Sequence, residues 1–156
     1  KPAQIIARMN SLTEKQLIQA LYRASQAGVT VDLIVRGICS LRPGIPGVSD
    51  RIRVRSVIGR FLEHSRVFWF ENGGEEVIYC SSADWMDRNM FFRVETCFPI
   101  SDPVLAKRVK QDGLMVYLTD NRQSWILQAD GSYRQVAVAA GKERMAQQQL
   151  LEKLAH

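Results

Sequence analysis

His64 is the one histidine apart from the terminal His156, and it lies in Phe61-Leu62-Glu63-His64-Ser65-Arg66. An imidazole titrates near neutral pH, so it can act as nucleophile, proton donor or proton acceptor. Arg66 follows two residues later, and on an extended strand residues two apart share a face. Glu71 falls five beyond Arg66, and Ser81-Ser82-Ala83-Asp84 closes the next strand-like run. A histidine beside a cation and small hydroxyls suits chemistry at a phosphoryl group, whose oxygens the cation and hydroxyls would hold. A lone histidine is more often merely packed; the neighbours at this spacing weigh against that.

The charge distribution points the same way. Seven arginines fall between Arg36 and Arg66, with no lysine and only Asp50 and Glu63 as acids, so this window carries the whole formal excess of +5. Arginine in place of lysine indicates bidentate recognition of phosphate or carboxylate. Arg36, His64, Arg66, Ser81, Ser82 and Asp84 are the candidate phosphate contacts. Arg42, Arg55 and Arg60 are further candidate polyanion contacts, against solvated arginines or, for Arg42, a brace of its own Pro-Gly loop. Arg88 and Arg93 stand after the serines in the same role. Trp69 and Trp85 read as core, and Tyr22 as the exposed or packed side of a helix. From Arg36 to Arg60 there is no Phe, Tyr or Trp, which favours plain phosphate binding over stacked bases.

Several elements must position these residues. A helix over 13–27 follows from Thr13 as N-cap, Gln16 completing a capping box, Leu12 and Leu17 as a staple, and a Leu17–Leu21–Ala24 stripe stopped by Gly28. Val31 to Val35 is then a strand, completing the αβ half of a βαβ crossover. It ends at Arg36-Gly37, where ligands bind in open α/β sheets. Further strands are expected at 53–58, 67–70, 77–80 and 94–98, the middle two joined by a hairpin at Asn72-Gly73-Gly74. A helix capped by Ser101 or Asp102 runs to about Leu118, weak at Gly113. A hairpin turns at Asp130-Gly131, and a helix over about 142–154 closes the chain.

With 156 residues and 46% hydrophobic content, the sequence fits one domain, 1–156. No apolar run reaches the roughly 18 residues that span a bilayer, and the first ten residues are no signal peptide. The opening Lys1-Pro2-Ala3, without an initiator Met, suggests an excised or processed chain. Three cysteines without metal-type spacing suggest buried thiols in a reducing cytoplasm. No metal site is expected within the chain.

The order His64-x-Arg66-x4-Glu71, then Ser81-Ser82-Ala83-Asp84, resembles the phospholipase D signature H-x-K-x4-D followed by G-S-x-N, with a changed residue at most positions and a longer gap. Three wider stretches narrow the resemblance: Leu33-Ile34-Val35-Arg36-Gly37-Ile38-Cys39, Gly59-Arg60-Phe61-Leu62-Glu63-His64-Ser65-Arg66 and Ser81-Ser82-Ala83-Asp84-Trp85-Met86. Together with Met9-Asn10-Ser11-Leu12 and Leu41-Arg42-Pro43-Gly44, they look like the C-terminal part of bacterial polyphosphate kinases. The likeness runs from about residue 5 to 135.

The resemblance implies an α/β fold, a phospholipase D-like mixed β-sheet sandwiched by helices. It implies an enzyme that moves the terminal phosphate of ATP reversibly onto polyphosphate through a phosphohistidine. That nucleophile would lie in a preceding catalytic domain of the parent chain, with the ligands of the Mg2+ that accompanies ATP. His64 matches the family's second active-site histidine, and Arg36 its nucleotide-contacting arginine. Partners would be ATP or ADP, polyphosphate, the upstream domains and further copies in a homo-oligomer. The parent would be cytoplasmic, with membrane association left open, and the isolated chain inactive. Two other functions fit the same residues. One is a non-catalytic polyanion- or nucleic-acid-binding module. The other is a phospholipase D-type phosphodiesterase that pairs two His64 side chains in a dimer.

Overall fold

The computed structural model describes residues 2–155; Lys1 and His156 lie outside the described residues. Eight strands form one mixed sheet in the order β6-β5-β4-β1-β2-β3-β7-β8. They are β1 (Ala3–Met9), β2 (Thr30–Val35), β3 (Ile52–Val57), β4 (Arg66–Asn72), β5 (Glu75–Ser81), β6 (Cys97–Pro99), β7 (Ser124–Leu127) and β8 (Tyr133–Gln135). β1, β2 and β3 run parallel, and every other pairing is antiparallel.

Helices cover both faces, as expected of the mixed α/β class. Helix α1 (Lys15–Gln26) joins β1 to β2. Its Leu21 joins Ala7, Met9, Leu33, Val35 and Phe68 in one buried cluster on one face of the sheet. The other face carries Ile6, Ile34, Val57, Val67, Trp69 and Ile78. It is covered by α3 (Pro103–Lys110), a π-helical turn (Gln111–Met115), α4 (Val116–Leu118) and α5 (Ala146–Leu154). The short α2 (Asp87–Phe91) follows β5.

Strand β1 was not anticipated. Its last four residues are buried, so it lacks the alternation that marks a half-exposed strand. Helix α1 is capped one residue later than expected: the Glu14 carboxylate accepts the Gln16 and Leu17 amides, where Thr13 was anticipated. Leu12, expected to pair with Leu17 as a staple, is fully buried, bridges to Cys39 and Trp85, and shares one apolar cluster with Leu17. The hairpin is as expected, with Gly73 and Gly74 at φ +63 and +101, a left-handed pair that glycine adopts at little cost.

The expected strand at 94–98 begins only at Cys97, because Glu95 is drawn aside by Ser82 and Asn89. The expected helix to 118 widens into its π turn around Gly113, whose added Cβ would stand 3.2 Å from Val67 Cγ2. The closing helix starts at Ala146, four residues later than anticipated, after an irregular stretch. Against the expectation of buried thiols, Cys39 and Cys80 are only half-buried, and Cys97 is exposed on the edge strand β6. Trp69 and Trp85 are core residues, as expected.

Candidate active site

The register brings the sequence-flagged residues to one end of the sheet. Met9 pairs with Val35, Arg8 with Val67, and Arg66 with Ser81. Asn10, Arg36, the 58–65 loop and Ser81–Asp84 therefore all emerge at the carboxyl edge of the parallel strands, the place where α/β sheets bind ligands. Glu71 does not join them. It pairs with Gln4 at the opposite end of β4.

The loop that presents His64 is clamped by its neighbours. The Ile58 amide donates to Gln123 O at 3.0 Å. Gln147 of α5, 7% exposed, accepts the Phe61 amide and donates to the Phe61 carbonyl, both at 2.9 Å. Gly59 is needed there, since a Cβ would fall 2.3 Å from Gln147 Oε1. Glu63 pairs with Arg8 at 3.0 Å. Arg66 Nη1 donates to the His64 carbonyl at 2.6 Å. The backbone is thus fixed while the imidazole itself is exposed.

Arg66 and Asp84 form a two-point pair, Nε to Oδ1 at 3.2 Å and Nη2 to Oδ2 at 3.0 Å. Asp84 Oδ1 also accepts the Asn10 and Ser11 amides at 2.7 and 3.3 Å. Its carboxylate, 3% exposed overall, ties β1 to the Ser81–Asp84 segment and to the His64 loop. Ser81 Oγ donates to Thr96 O and accepts the Ala83 amide. Ser82 donates to Glu95 and accepts the Thr96 amide. The bonds from Ser82 and Asn89, helped by the charges of Arg93 and Arg66, hold the Glu95 carboxyl below the usual carboxylate range.

Arg36 is held more loosely. Its Nε donates to Asn10 Oδ1 at 3.1 Å, and its half-buried side chain closes with Glu63 and Ser65 over a crevice of only about 10 Å3. On its other side opens a cleft of about 260 Å3 formed with Ser56, Ile58, Trp125 and Tyr133. The two aromatic residues escaped sequence reasoning, because they reach Arg36 only through the β3–β7 pairing. Their signal was an exposed aromatic on each arm of the 124–135 hairpin.

The remaining arginines are dispersed. Arg42 is exposed and packs on Gly131; its amide donates to the Tyr22 hydroxyl. Arg55 donates to the Tyr117 and Asp120 carbonyls at 3.4 and 3.2 Å, and burial lowers its pKa. Arg60 is exposed, 5.6 Å from the Phe61 ring centre.

The description "Polyphosphate kinase C-terminal domain 2" belongs to a family whose pattern matches residues 1–148. The chain belongs to this family. It is 60% identical over 156 residues to the polyphosphate kinase of Pseudomonas aeruginosa, covering 99% of the chain and 22% of that protein. It is 58% identical to that of Thermosynechococcus vestitus, over 91% of the chain and 19% of that protein. The crystal structure of polyphosphate kinase from Porphyromonas gingivalis superposes with a TM-score of 0.93 at 40% identity, over 99% of this chain and 24% of that one. This polyphosphate kinase C-terminal domain therefore spans about a fifth of the relatives it matches. Among the described residues, no helix is long and apolar enough to cross a membrane.

Proposed function

We propose that the chain is the C-terminal catalytic half of a polyphosphate kinase, with a phospholipase D-like fold, that moves the terminal phosphate of ATP reversibly onto polyphosphate. The observation that carries this is His64: exposed, on a loop clamped from several sides, in the region where Arg36 keeps most of its guanidinium uncommitted. An upstream domain of the longer protein supplies a second histidine, which attacks the γ-phosphorus as ADP leaves. The terminal oxygen of polyphosphate then attacks that phosphohistidine and frees the ring. Arg36 holds nucleotide phosphates by paired N–H donors. His64 donates the proton that the leaving oxygen needs and accepts it back in reverse. Arg66 and Asp84 fix His64 by its backbone, and the exposed Arg42 and Arg60 serve in this reading as further polyanion contacts.

The residues of this end do not fit a resident Mg2+. Glu63 and Asp84 are already engaged by guanidinium groups. Among the described residues, no three His, Cys, Asp or Glu side chains gather as a metal site. Mg2+ would accompany ATP, held by ligands elsewhere in a cytoplasmic, oligomeric parent, and the isolated chain would be inactive.

In the full-length protein, His64→Ala should lower phosphoryl transfer by about 10²–10⁴. Its melting temperature should hold, because the imidazole is exposed. Near wild-type turnover, measured with ATP and polyphosphate, would overturn this assignment. Trp125 and Tyr133 favour one second reading, a cleft for single-stranded nucleic acid built on base stacking. Tight oligonucleotide binding that polyphosphate fails to displace would favour it.

A further inference from the structure

Next to His64 in sequence lies one member of a largely buried trio, the ion pair of Glu63 and Arg8 with the Tyr117 phenol, to which the proposed reaction gives no part. Glu63 and His64 are adjacent in the loop that precedes β4, and their side chains differ in exposure. His64 is exposed, while the Glu63 side chain beside it is 19% exposed and meets Arg8 Nη2 at 3.0 Å, with Arg8 only 8% exposed. The same Glu63 oxygen accepts the Tyr117 hydroxyl. The Arg8 guanidinium lies 3.6 Å from the centre of the Tyr117 ring, and its Nη1 donates to Gly113 O at 3.4 Å. Gly113 sits in the π turn, a feature that recurs at functional sites.

Stability alone gives little reason for such a trio. Well-packed apolar side chains would fill the same space without desolvating two charges. What hydrogen bonds add is direction: two donors on two elements, β1 and α4, converge on one carboxylate, one residue from the imidazole. Burial, with Glu63 as a further contributor, pushes the Tyr117 phenol well above its ordinary range against the opposing charge of Arg8. Tyr117 thus remains a donor throughout the pH range of the reaction.

We propose that Glu63 is a positioning residue, gripped by Arg8 and Tyr117 so that the His64 imidazole stands where the transferred phosphate passes. The inference rests on the assignment of His64 to proton transfer. Sub-ångström placement carries this much weight because a displacement of about 1 Å can cost about 10²-fold in rate.

The test is steady-state kinetics of the full-length protein with ATP and polyphosphate, for Glu63→Gln and Tyr117→Phe, each alone and combined with His64→Ala. Glu63→Gln should lower kcat by about 10²-fold and Tyr117→Phe by about tenfold, with KM for ATP little changed. Both losses should vanish in the His64→Ala background, where there is no imidazole left to misplace. Should Glu63→Gln fail to fold, Tyr117→Phe decides, since it removes one hydroxyl and keeps the ring over Arg8. Unchanged kcat, or equal fold-losses with and without His64, would overturn the positioning role while leaving His64 in place. Wild-type turnover by His64→Ala alone would overturn both.

Discussion

Two arginines stand at the same end of the sheet and are held in opposite ways. Arg66, 16% exposed, gives two N–H groups to Asp84 and a third to the His64 carbonyl. Arg36 gives one side-chain N–H to Asn10 and lines an open cleft of about 260 Å3. Residue type and spacing mark both as phosphate binders; the partner separates them. A guanidinium neutralised by a buried carboxylate is a fastener, and one facing open space can meet a ligand.

The sharpest way to break the comparison is Asp84→Ala. It leaves Arg66 and the Asn10 and Ser11 amides without their acceptor, and should cost about 3–5 kcal/mol, measured by denaturant unfolding. A loss below about 1 kcal/mol would mean that the pair is dispensable and that Arg66 is as free as Arg36. Gly59→Ala should come next. The new methyl displaces the Gln147 amide, and losing its bonds to Phe61 should cost about 1–3 kcal/mol, with faster amide exchange confined to residues 58–65.

Arg36→Ala should shift stability by no more than about 0.5 kcal/mol, as for most surface changes. It should nevertheless weaken polyphosphate binding and flatten its salt dependence. The smallest effect belongs to Glu76, an exposed carboxylate that accepts the Trp69 indole N–H at 3.0 Å and pairs with Lys110 at 3.2 Å. The indole bond, then Lys110, lowers its pKa from 4.5. Its contribution is therefore present above the unfolded value and lost as pH falls through the depressed folded value. A shallow acid decline in stability that Glu76→Gln removes would confirm this, and an unchanged profile would refute it.

Local pattern carried much of the fold. The Leu17–Leu21 stripe, the Val31–Val35 run and the Gly73-Gly74 turn each announce an element within a few residues. β1 did not, because a strand buried on both faces has no alternation to read. The constellation of His64, Arg66 and Asp84 was legible for the same local reason, since a single hairpin joins them. Its supports were not. Glu63 meets Tyr117 across 54 positions, and Phe61 meets Gln147 across 86. No local pattern encodes such pairs; the sheet order creates them. Trp125 and Tyr133 were hidden likewise, since an antiparallel pairing across more than sixty residues sets them beside Arg36.

The two outer strands have a consequence for how this chain meets other molecules. β6 and β8 are three residues each, and β6 includes Pro99, which has no amide hydrogen to offer. An incoming strand would find too few free donors and acceptors to extend the sheet on either side. This limits runaway strand-by-strand aggregation. Contacts through loops and helices are therefore favoured over extension of the sheet.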